Sequence, residues 1–198
     1  MSYDSKDILY SFKIVISGSN SVGKTCLFNR YCFNSFNLDT SPTIGINFHS
    51  IHLKINNEKE PEMLREHYIV NSIFDFGGQE RFKPLGGQFL EGSSGALLVF
   101  DSVSYSSFHE LDFWYEQIIT NAISSDIPIL LVGSKSDLVD KTSKSEIVDE
   151  ELIHKYIKDR QLDGFYRTSA LENYNVLEVF KKLNNLMLKR QRLPFIVA

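Results

Sequence analysis

The residues with the clearest chemical potential form a glycine-rich segment, Gly18-Ser-Asn-Ser-Val-Gly23-Lys24-Thr25, which matches the pattern GxxxxGK[ST]. The glycines let backbone N–H groups curl around a phosphate, and a helix that begins directly afterwards adds the partial positive charge of its N-terminus. Lys24 can reach the outer phosphates, and the Thr25 hydroxyl can coordinate Mg²⁺. An ordinary glycine-rich turn is the alternative, but β-type residues before the segment and a helical pattern after it favour a nucleoside triphosphate site.

A second segment, Asp75-Phe-Gly-Gly-Gln-Glu80, follows a run of β-type residues. A carboxylate at the C-terminal end of a strand, facing the phosphate loop, can hold Mg²⁺ through water. The backbone N–H of Gly78 can face a γ-phosphate, and the Gln79 amide can orient an attacking water. Alone, this segment could be an unspecialised loop; paired with the first segment, it indicates a site that can hydrolyse a triphosphate.

Short runs of β-branched residues alternate with helical patterns along the chain, and this alternation is typical of βαβ units. Alternating apolar residues in 44–55, followed by the run 68–74, predict an antiparallel hairpin, and the glycines within residues 77–95 predict a mobile segment. We therefore predict an α/β fold of three layers, with about six strands in a mostly parallel sheet and one antiparallel strand. The predicted strands are 12–17, 44–55, 68–74, 96–101, 128–133 and 165–168, and the predicted helices are 23–32, 106–123, 148–160 and 173–190.

The composition excludes several other classes of protein. With 198 residues, 42% of them hydrophobic and 23% charged, the chain fits one globular domain. The net charge of −4 disfavours nucleic-acid binding, and two cysteines, Cys26 and Cys32, do not suggest a disulfide framework. Because no apolar run approaches the roughly twenty residues of a membrane span, and the N-terminus has no signal-peptide core, we expect a cytoplasmic protein.

Six separate stretches together resemble the small GTPases of the Ras superfamily, and they are most similar to the Rab branch. They occur in the order of that family, within residues 11–188, and read GSNSVGKTCL, SPTIGINF, DFGGQERF, GALLVFD, ILLVGSKSDL and TSALENYNV. The resemblance implies the P-loop NTPase fold of small G proteins. It also implies an N-terminal extension (1–10), a G domain (11–190) and a C-terminal tail (191–198).

The resemblance implies roles for residues outside the two segments. Thr43 matches a threonine that binds Mg²⁺ and senses the γ-phosphate, and Phe36 matches an aromatic residue that packs against the base. Lys135 and Asp137 match the base-reading motif, in which the aspartate accepts hydrogen bonds from guanine N1 and N2. The loop at Ser169 and Ala170 matches one whose backbone N–H contacts the guanine carbonyl oxygen.

The segments and the resemblance together define the expected site for GTP or GDP with Mg²⁺. The expected catalytic residues are Gln79, Lys24, Thr43 and Gly78, and the expected metal ligands are Thr25, Thr43 and Asp75. The expected nucleotide-binding residues are Ser19, Asn20, Ser21, Val22, Gly23, Lys24, Thr25, Cys26, Phe36, Thr43, Gly78, Ser134, Lys135, Asp137, Leu138, Ser169, Ala170 and Leu171.

The chain departs from the family pattern at several positions. Ser134 stands where the base motif normally begins with asparagine; since a hydroxyl offers fewer hydrogen-bonding groups than an amide, we expect weaker base binding with guanine selectivity retained. Gly77 and Gly78 resemble the Arf branch and should loosen the backbone. Asn20 lies where an external arginine would enter, and it either restricts an activating protein or is tolerated.

Two further departures concern the surface of the protein. The segment 57–67 is roughly nine residues longer than is usual for Rab proteins, which indicates either a solvated hairpin tip, the favoured reading, or a partner-specific protrusion. The sequence has no cysteine after Cys32, so we expect no prenylated C-terminus of the Rab kind in this chain. Either the protein acts without a covalent anchor, or its sequence continues beyond this chain.

These observations predict a GTP-binding switch that hydrolyses GTP slowly, needs an activating protein, and acts in membrane traffic or related signalling. The expected partners are effectors, an exchange factor and an activating protein at the switch regions, and any membrane association would be peripheral, through partners. One alternative is a GTP-binding scaffold that does not hydrolyse GTP. The other is a phosphate-loop kinase, which is disfavoured because the chain has no arginine-rich lid and a kinase has no use for Lys135 and Asp137.

Overall fold

The structure, a computed structural model, describes residues 7–37, 43, 45–59, 66–78 and 86–198, and contains one mixed β-sheet. Its strands are β1 (Asp7–Ser17), β2 (Ile46–Asn57), β3 (His67–Phe76), β4 (Gly95–Asp101), β5 (Ile129–Ser134), β6 (Phe165–Arg167) and β7 (Phe195–Val197). They lie side by side in the order β6-β5-β4-β1-β3-β2-β7. Among these described strands, β2 alone runs in the opposite direction to the rest, so it is antiparallel to both β3 and β7. The predicted α/β fold with one antiparallel strand is therefore confirmed.

Helices cover both faces of the sheet. They are α1 (Lys24–Phe33), α2 (Gly86–Leu90), α3 (Tyr105–His109), α4 (Leu111–Asn121), α5 (Glu150–Arg160) and α6 (Val176–Arg190), with a 3-10 helix over Ser136–Lys141. On one face, Leu27 and Phe180 belong to the apolar core beneath α1 and α6. On the other face, Trp114 and Ile153 belong to the core beneath α4 and α5. Among the helices described, none combines the length and apolarity needed to cross a bilayer.

The sheet extends beyond the sequence prediction at both ends of the chain. β1 begins at Asp7, so the predicted boundary at residue 10 falls inside a strand, and its pairing with β3 starts at Asp7 opposite His67. The predicted tail contains β7, a seventh strand that pairs with β2 opposite Ile55–Asn57. The described residues therefore form seven strands, one more than the approximate six expected from the sequence. β7 was not predicted because three apolar residues near the end of a chain carry no periodic pattern.

The predicted helix 106–123 is wrong as a single element, because it divides at Glu110 into α3 and α4. Ser104 caps α3, where its hydroxyl accepts a hydrogen bond from the Ser107 backbone N–H at 3.4 Å. At the division, the Glu110 carboxylate accepts a hydrogen bond of 2.7 Å from the Ser19 hydroxyl. This hydrogen bond therefore connects the layer of α3 and α4 to the glycine-rich segment 18–25, the predicted phosphate loop. Of the predicted mobile segment, the structure describes residues 77–78 and 86–95, and the latter include α2.

A buried polar contact crosses the core between β3 and α6. Asn71 and Asn184 are both fully buried, and the Asn71 amide donates a 2.7 Å hydrogen bond to the Asn184 side-chain oxygen. The Asn184 amide donates in turn to the Phe180 carbonyl at 2.8 Å. Nearby, the Tyr31 ring stacks on Phe180 with 3.7 Å between ring centroids. Within this otherwise apolar layer, α6 is therefore joined to β3 by a hydrogen bond and to α1 by aromatic stacking.

The parallel strands end along one edge of the sheet, and this edge carries the candidate site. The phosphate-loop segment follows β1, while Asp101 ends β4 and Ser134 ends β5. Asp75 lies next to Ile16 in the β1–β3 pairing, so it reaches the same edge. Ligands of open parallel sheets bind at the carboxyl ends of the strands.

Candidate functional site

The phosphate loop joins β1 to α1 with two glycines in conformations that other residues rarely adopt. Gly18 has φ +149° and Gly23 has φ +92°. A Cβ at Gly18 would lie 2.1 Å from the Val99 carbonyl oxygen, so a side chain cannot fit there. The first glycine therefore allows the loop to pass against β4, and the second precedes α1, whose N-terminus faces the cavity.

Lys24, the first residue of α1, is a buried cation beneath the loop. Its exposed fraction is 5%, and its ammonium donates a 2.6 Å hydrogen bond to the Ser19 carbonyl. Burial lowers the pKa of Lys24 to about 8, although the nearby Asp75 carboxylate acts in the opposite direction. A phosphate beside Lys24 would supply the negative charge that such a buried ammonium lacks.

Oxygen atoms suited to Mg²⁺ converge beside Lys24. The Thr25 hydroxyl donates to one Asp75 oxygen at 2.7 Å and lies 2.7 Å from the Thr43 hydroxyl. Asn47, which pairs with Asp75 across the β2–β3 ladder, donates to the same carboxylate oxygen at 2.9 Å. The other Asp75 oxygen is buried and has no hydrogen-bond partner among the described residues. Hard oxygen donors with one unsatisfied carboxylate oxygen fit a magnesium site.

Burial raises the pKa of Asp75, while hydrogen bonds from Asn47 and Thr25 and the charge of Lys24 oppose that rise. A bound divalent cation would favour the ionised carboxylate further. The electrostatics of Asp75 are therefore compatible with the predicted role of its carboxylate as a cation ligand.

Gly78 approaches the phosphate loop from the end of β3. A Cβ at Gly78 would lie 2.6 Å from both the Gly18 carbonyl oxygen and the Lys24 ammonium nitrogen. Only glycine can place its backbone this close to the phosphate-binding groups. Gln79, predicted to orient water, lies outside the described residues.

The opposite end of the site is built from the loops after β5 and β6. The Ser169 hydroxyl donates a 2.6 Å hydrogen bond to the Asp137 carboxylate, which orients the predicted base-reading group. The Lys135 ammonium pairs with Asp101 at 2.6 Å. Arg30 of α1 donates to the Ala170 carbonyl at 2.7 Å. Protein contacts thus hold the loops in place around the expected base.

One cavity of about 480 Å³ joins the two ends, a volume typical of small-molecule sites. Most of the predicted residues line it: Asn20, Ser21, Gly23, Lys24, Thr25, Cys26, Phe36, Thr43, Gly78, Ser134, Lys135, Asp137, Leu138, Ala170 and Leu171. Asp75 and Ser169 stand behind this lining and contact Thr25 and Asp137. Ser19 and Val22 line an adjacent cavity of about 370 Å³ instead.

Sequence reasoning missed several residues of the site. Asn37, Phe76 and Thr168 also line the cavity, while Asn47 and Asp101 orient Asp75 and Lys135. Asp101 could have been found because it is a carboxylate at the C-terminal end of a predicted parallel strand. Asn47 carries no such signal, since its role depends on the register between β2 and β3.

Comparison with known proteins matches the Ras family over residues 13–189. The chain is 32% identical over 183 residues to the Ras-related protein RABG3b of Arabidopsis thaliana, covering 91% of this chain and 85% of the relative. It is 34% identical over 174 residues to the Ras-related protein RGP2 of Oryza sativa subsp. japonica, with 88% and 73% covered. It is 33% identical over 172 residues to the GTP-binding protein ypt3 of Schizosaccharomyces pombe, with 87% and 73% covered.

These matches agree with the fold, which places the predicted phosphate loop and the predicted base-reading loop at one edge of a mostly parallel sheet. They also confirm the resemblance noted in the sequence. The chain belongs to the Ras family, as a small GTPase close to the Rab branch.

Proposed function

We propose that the protein is a switch that binds GTP, hydrolyses it slowly to GDP, and changes its affinity for partners as it does so. The observation that carries the proposal is the single cavity lined by Lys24, Thr25 and Asp137, which puts groups for phosphate, Mg²⁺ and guanine within one nucleotide length. Small GTPases of the Ras family generally bind GTP or GDP with Mg²⁺, and one relative is itself named a GTP-binding protein.

Guanine recognition is assigned to Asp137. Its carboxylate is an acceptor that matches the adjacent N1–H and N2–H donors of guanine, whereas adenine has no such pair of donors on that edge. The hydrogen bond from Ser169 leaves the other Asp137 oxygen available and restricts rotation of the side chain. The backbone of Ala170, at the same end of the cavity, is the proposed contact for the guanine carbonyl oxygen.

Thr25, Thr43 and Asp75 are the proposed holders of Mg²⁺, which when bound would neutralise charge on the phosphates. Lys24 contributes a second positive charge, and the loop N–H groups add hydrogen bonds. Gly78 is proposed to present its backbone N–H to the γ-phosphate, and Gln79 to orient the attacking water. This is catalysis by positioning and charge stabilisation.

The proposed rate is low because the described residues provide no arginine to stabilise the charge of the transition state. No arginine lines the cavity in the part of the chain that the structure describes. Unaided hydrolysis should then proceed on the order of 10⁻⁴ s⁻¹, as in Ras. We propose that a separate activating protein supplies the acceleration, and that an exchange factor and effectors bind the same switch surfaces.

A role in membrane traffic or related signalling follows from the likeness to Rab relatives and is part of the proposal. We also propose that the protein is cytoplasmic and reaches membranes through its partners. Loss of the γ-phosphate would remove the contacts proposed for Thr43 and Gly78, and effector affinity would fall as these segments rearrange.

A second candidate, a GTP-binding scaffold without useful hydrolysis, is favoured by one observation. Asn20 lines the cavity at the phosphate loop, near where the family resemblance implies that an external arginine would enter, and in this candidate its side chain restricts that entry. In that case an activating protein would have no effect, and the protein would retain GTP.

The deciding experiment identifies the nucleotide released when freshly purified protein is denatured with acid. Recovery of GDP supports the switch, because intrinsic hydrolysis with a half-life of roughly half an hour would be complete during purification. Recovery of intact GTP supports the scaffold. If no nucleotide is bound and none can be loaded, both candidates are wrong. The variant Gln79→Leu should preserve GTP in the switch and change nothing in the scaffold.

A further inference from the structure

The Ser19 side chain of the phosphate loop is held by two residues of the helical layer beside it. Ser19 is 5% exposed, and its hydroxyl donates a 2.7 Å hydrogen bond to the Glu110 carboxylate. The same hydroxyl oxygen accepts the indole N–H of Trp114 at 3.3 Å. A serine hydroxyl has one proton to donate. Because that proton and a lone pair are both engaged, the Ser19 side chain is fixed in one orientation.

Glu110 presents its carboxylate from an anchored position. The residue lies between α3 and α4, and its side chain makes no capping hydrogen bond to α4. The Ser107 hydroxyl fastens α3 to β4, because its oxygen accepts the Asp101 backbone N–H at 3.0 Å. Trp114 of α4 is buried in the core beneath that helix. Both helices are therefore attached to the sheet independently of the phosphate loop.

The backbone of Ser19 lies against two groups of the proposed phosphate site. Its carbonyl oxygen accepts the Lys24 ammonium at 2.6 Å, and its carbonyl carbon would lie 2.5 Å from a Cβ at Gly78. Ser19 and Glu110 line the adjacent cavity of about 370 Å³ rather than the larger one. Glu110 can therefore influence the phosphate site through a single residue, without lining the nucleotide cavity.

We propose that Glu110 is a positioning residue for the phosphate loop: its carboxylate fixes Ser19, and Ser19 fixes the backbone beside Lys24 and Gly78. This inference rests on the proposed nucleotide site and adds to it a residue of the helical layer. Hydrogen bonds to an ionised acceptor are shorter and stronger than neutral ones, and the 2.7 Å contact belongs to that class. Because the Glu110 side chain is exposed, it can be replaced without opening a cavity in the core.

The charge of Glu110 and its hydrogen bond to Ser19 predict effects of opposite sign on nucleotide affinity. A negative charge close to the loop repels an anionic phosphate, so removal of the charge alone would tighten binding. Loss of the hydrogen bond frees the Ser19 side chain, and the cost of ordering the loop again would weaken binding. The positioning role therefore predicts weaker binding when the carboxylate is removed, despite the relief of repulsion.

Glu110→Ala and Glu110→Gln separate these two effects. Fluorescent GDP is titrated with Mg²⁺ into the native protein and both variants, and ³¹P spectra of bound GDP are recorded. Glu110→Ala should weaken GDP binding by about fivefold and shift the ³¹P resonances. Glu110→Gln, whose amide oxygen still accepts from Ser19, should remain within about twofold of the native affinity, with native resonances.

Unchanged or tighter binding of GDP by Glu110→Ala would overturn the inference, and so would equal losses in the alanine and glutamine variants. Failure of fluorescent GDP to bind the native protein would instead overturn the proposed function. Glu116→Ala is the matched control, because Glu116 is 60% exposed on α4 and pairs with Arg160. The control should keep the native affinity and resonances; a loss equal to that of Glu110→Ala would contradict a role specific to Glu110.

A double-mutant cycle with Ser19→Ala tests whether the effect passes through Ser19. If it does, Ser19→Ala weakens GDP binding to a similar extent, and adding Glu110→Ala costs less than about a further twofold. Losses that multiply in the double variant would show that Glu110 acts by another route, and the inference would then be wrong.

Discussion

At the residue scale, the site depends on side chains that are held in place by other side chains. Asp137 is oriented by Ser169, Lys135 by Asp101, and Asp75 by Thr25 and Asn47. Each contact is charge-assisted, a class of hydrogen bond that is shorter and stronger than a neutral one. Ligand-binding groups held in this way lose little conformational freedom when a nucleotide binds.

The unsatisfied oxygen of Asp75 leads to a prediction about magnesium. Asp75→Asn keeps the shape of the side chain but removes the charge that favours Mg²⁺ over water. The native protein should bind GDP at least about tenfold more tightly with Mg²⁺ than with a chelator, and the variant should lose most of that difference. Titration of fluorescent GDP under both conditions measures the ratio.

Asp140→Asn is the control for this experiment, because it removes the same charge from an exposed position on the 3-10 helix. The control should retain the native ratio. If Asp75→Asn also retains it, Asp75 is not part of the metal site.

The acceptor character of Asp137 predicts a change of base preference. Asp137→Asn replaces an acceptor by an amide that can donate to the C2 carbonyl oxygen of xanthine. Guanine nucleotides should then bind about a hundredfold more weakly, since two charge-assisted hydrogen bonds are lost, while xanthosine diphosphate should bind more tightly than to the native protein. Competition assays with both nucleotides test this, and parallel losses for both would contradict the assigned role.

At the element scale, the sequence predicts a helix or strand only where the residues of that element form a recognisable hydrophobic pattern. β4 and β5 are buried on both faces, so their continuous apolar runs identified them. β7 forms because β2 offers an open edge and the Asn185 side chain accepts from the Val197 backbone N–H at 2.8 Å. Those partners are distant in sequence, and a local pattern cannot show them.

The same distinction applies to the site. Thr25 and Asp75 lie in segments whose spacing reflects their chemistry, and the structure places them 2.7 Å apart. Asn47 reaches Asp75 only through strand register. The contact of the Ser134 hydroxyl with the Val22 carbonyl oxygen could not be predicted either, because it depends on how closely the phosphate loop approaches β5.

β7 provides a prediction about stability. Phe195 of β7 contacts the His67 ring edge to face, with 5.4 Å between centroids, and packs against the main core. Phe195→Ala should lower the free energy of unfolding by about 2 kcal/mol and the midpoint temperature of thermal unfolding by about 4–8 °C. GDP affinity should not change, because β7 pairs with β2 eight residues, or roughly 25 Å, from Asn47.

Ile196→Ala is the matched control, since the Ile196 side chain in the same strand is 39% exposed. Ile196→Ala should lower the free energy of unfolding by less than about 1 kcal/mol. Equal destabilisation by both variants in thermal and denaturant unfolding would contradict the packing assigned to Phe195.

At the scale of the whole molecule, two apolar cores hold a rigid sheet, and the nucleotide site lies along one edge of it. One core joins α1 and α6 to the sheet, and the other joins α4 and α5. Close-packed protein interiors resist continuous deformation. A change of nucleotide should therefore act on the segments at the edge and leave the cores unchanged.

This arrangement predicts which parts of the protein change between its GDP-bound and GTP-bound states. Hydrogen exchange of the protein with GDP should differ from that with a non-hydrolysable GTP analogue chiefly in peptides that contain Thr43 or Gly78, with slower exchange in the GTP-like state. Peptides from β4, β5 and α6 should exchange at equal rates in both states. Differences of similar size in the core peptides would show that the change is global.

The contact between Asn71 and Asn184 also limits how β3 can move. Side chains alternate between the two faces of a strand, so a sliding strand keeps its apolar side chains on the buried face only if it moves by two residues. Such a step would bring Ile69 or Ile73 opposite Asn184. The Asn71 amide N–H and the Asn184 side-chain oxygen would then lose their hydrogen bond to each other, at a cost of about 1–3 kcal/mol for each buried group left unsatisfied. The hydrogen bond between Asn71 and Asn184 therefore holds β3 in one register against α6, and we expect a change of bound nucleotide to rearrange the loops rather than to displace this strand.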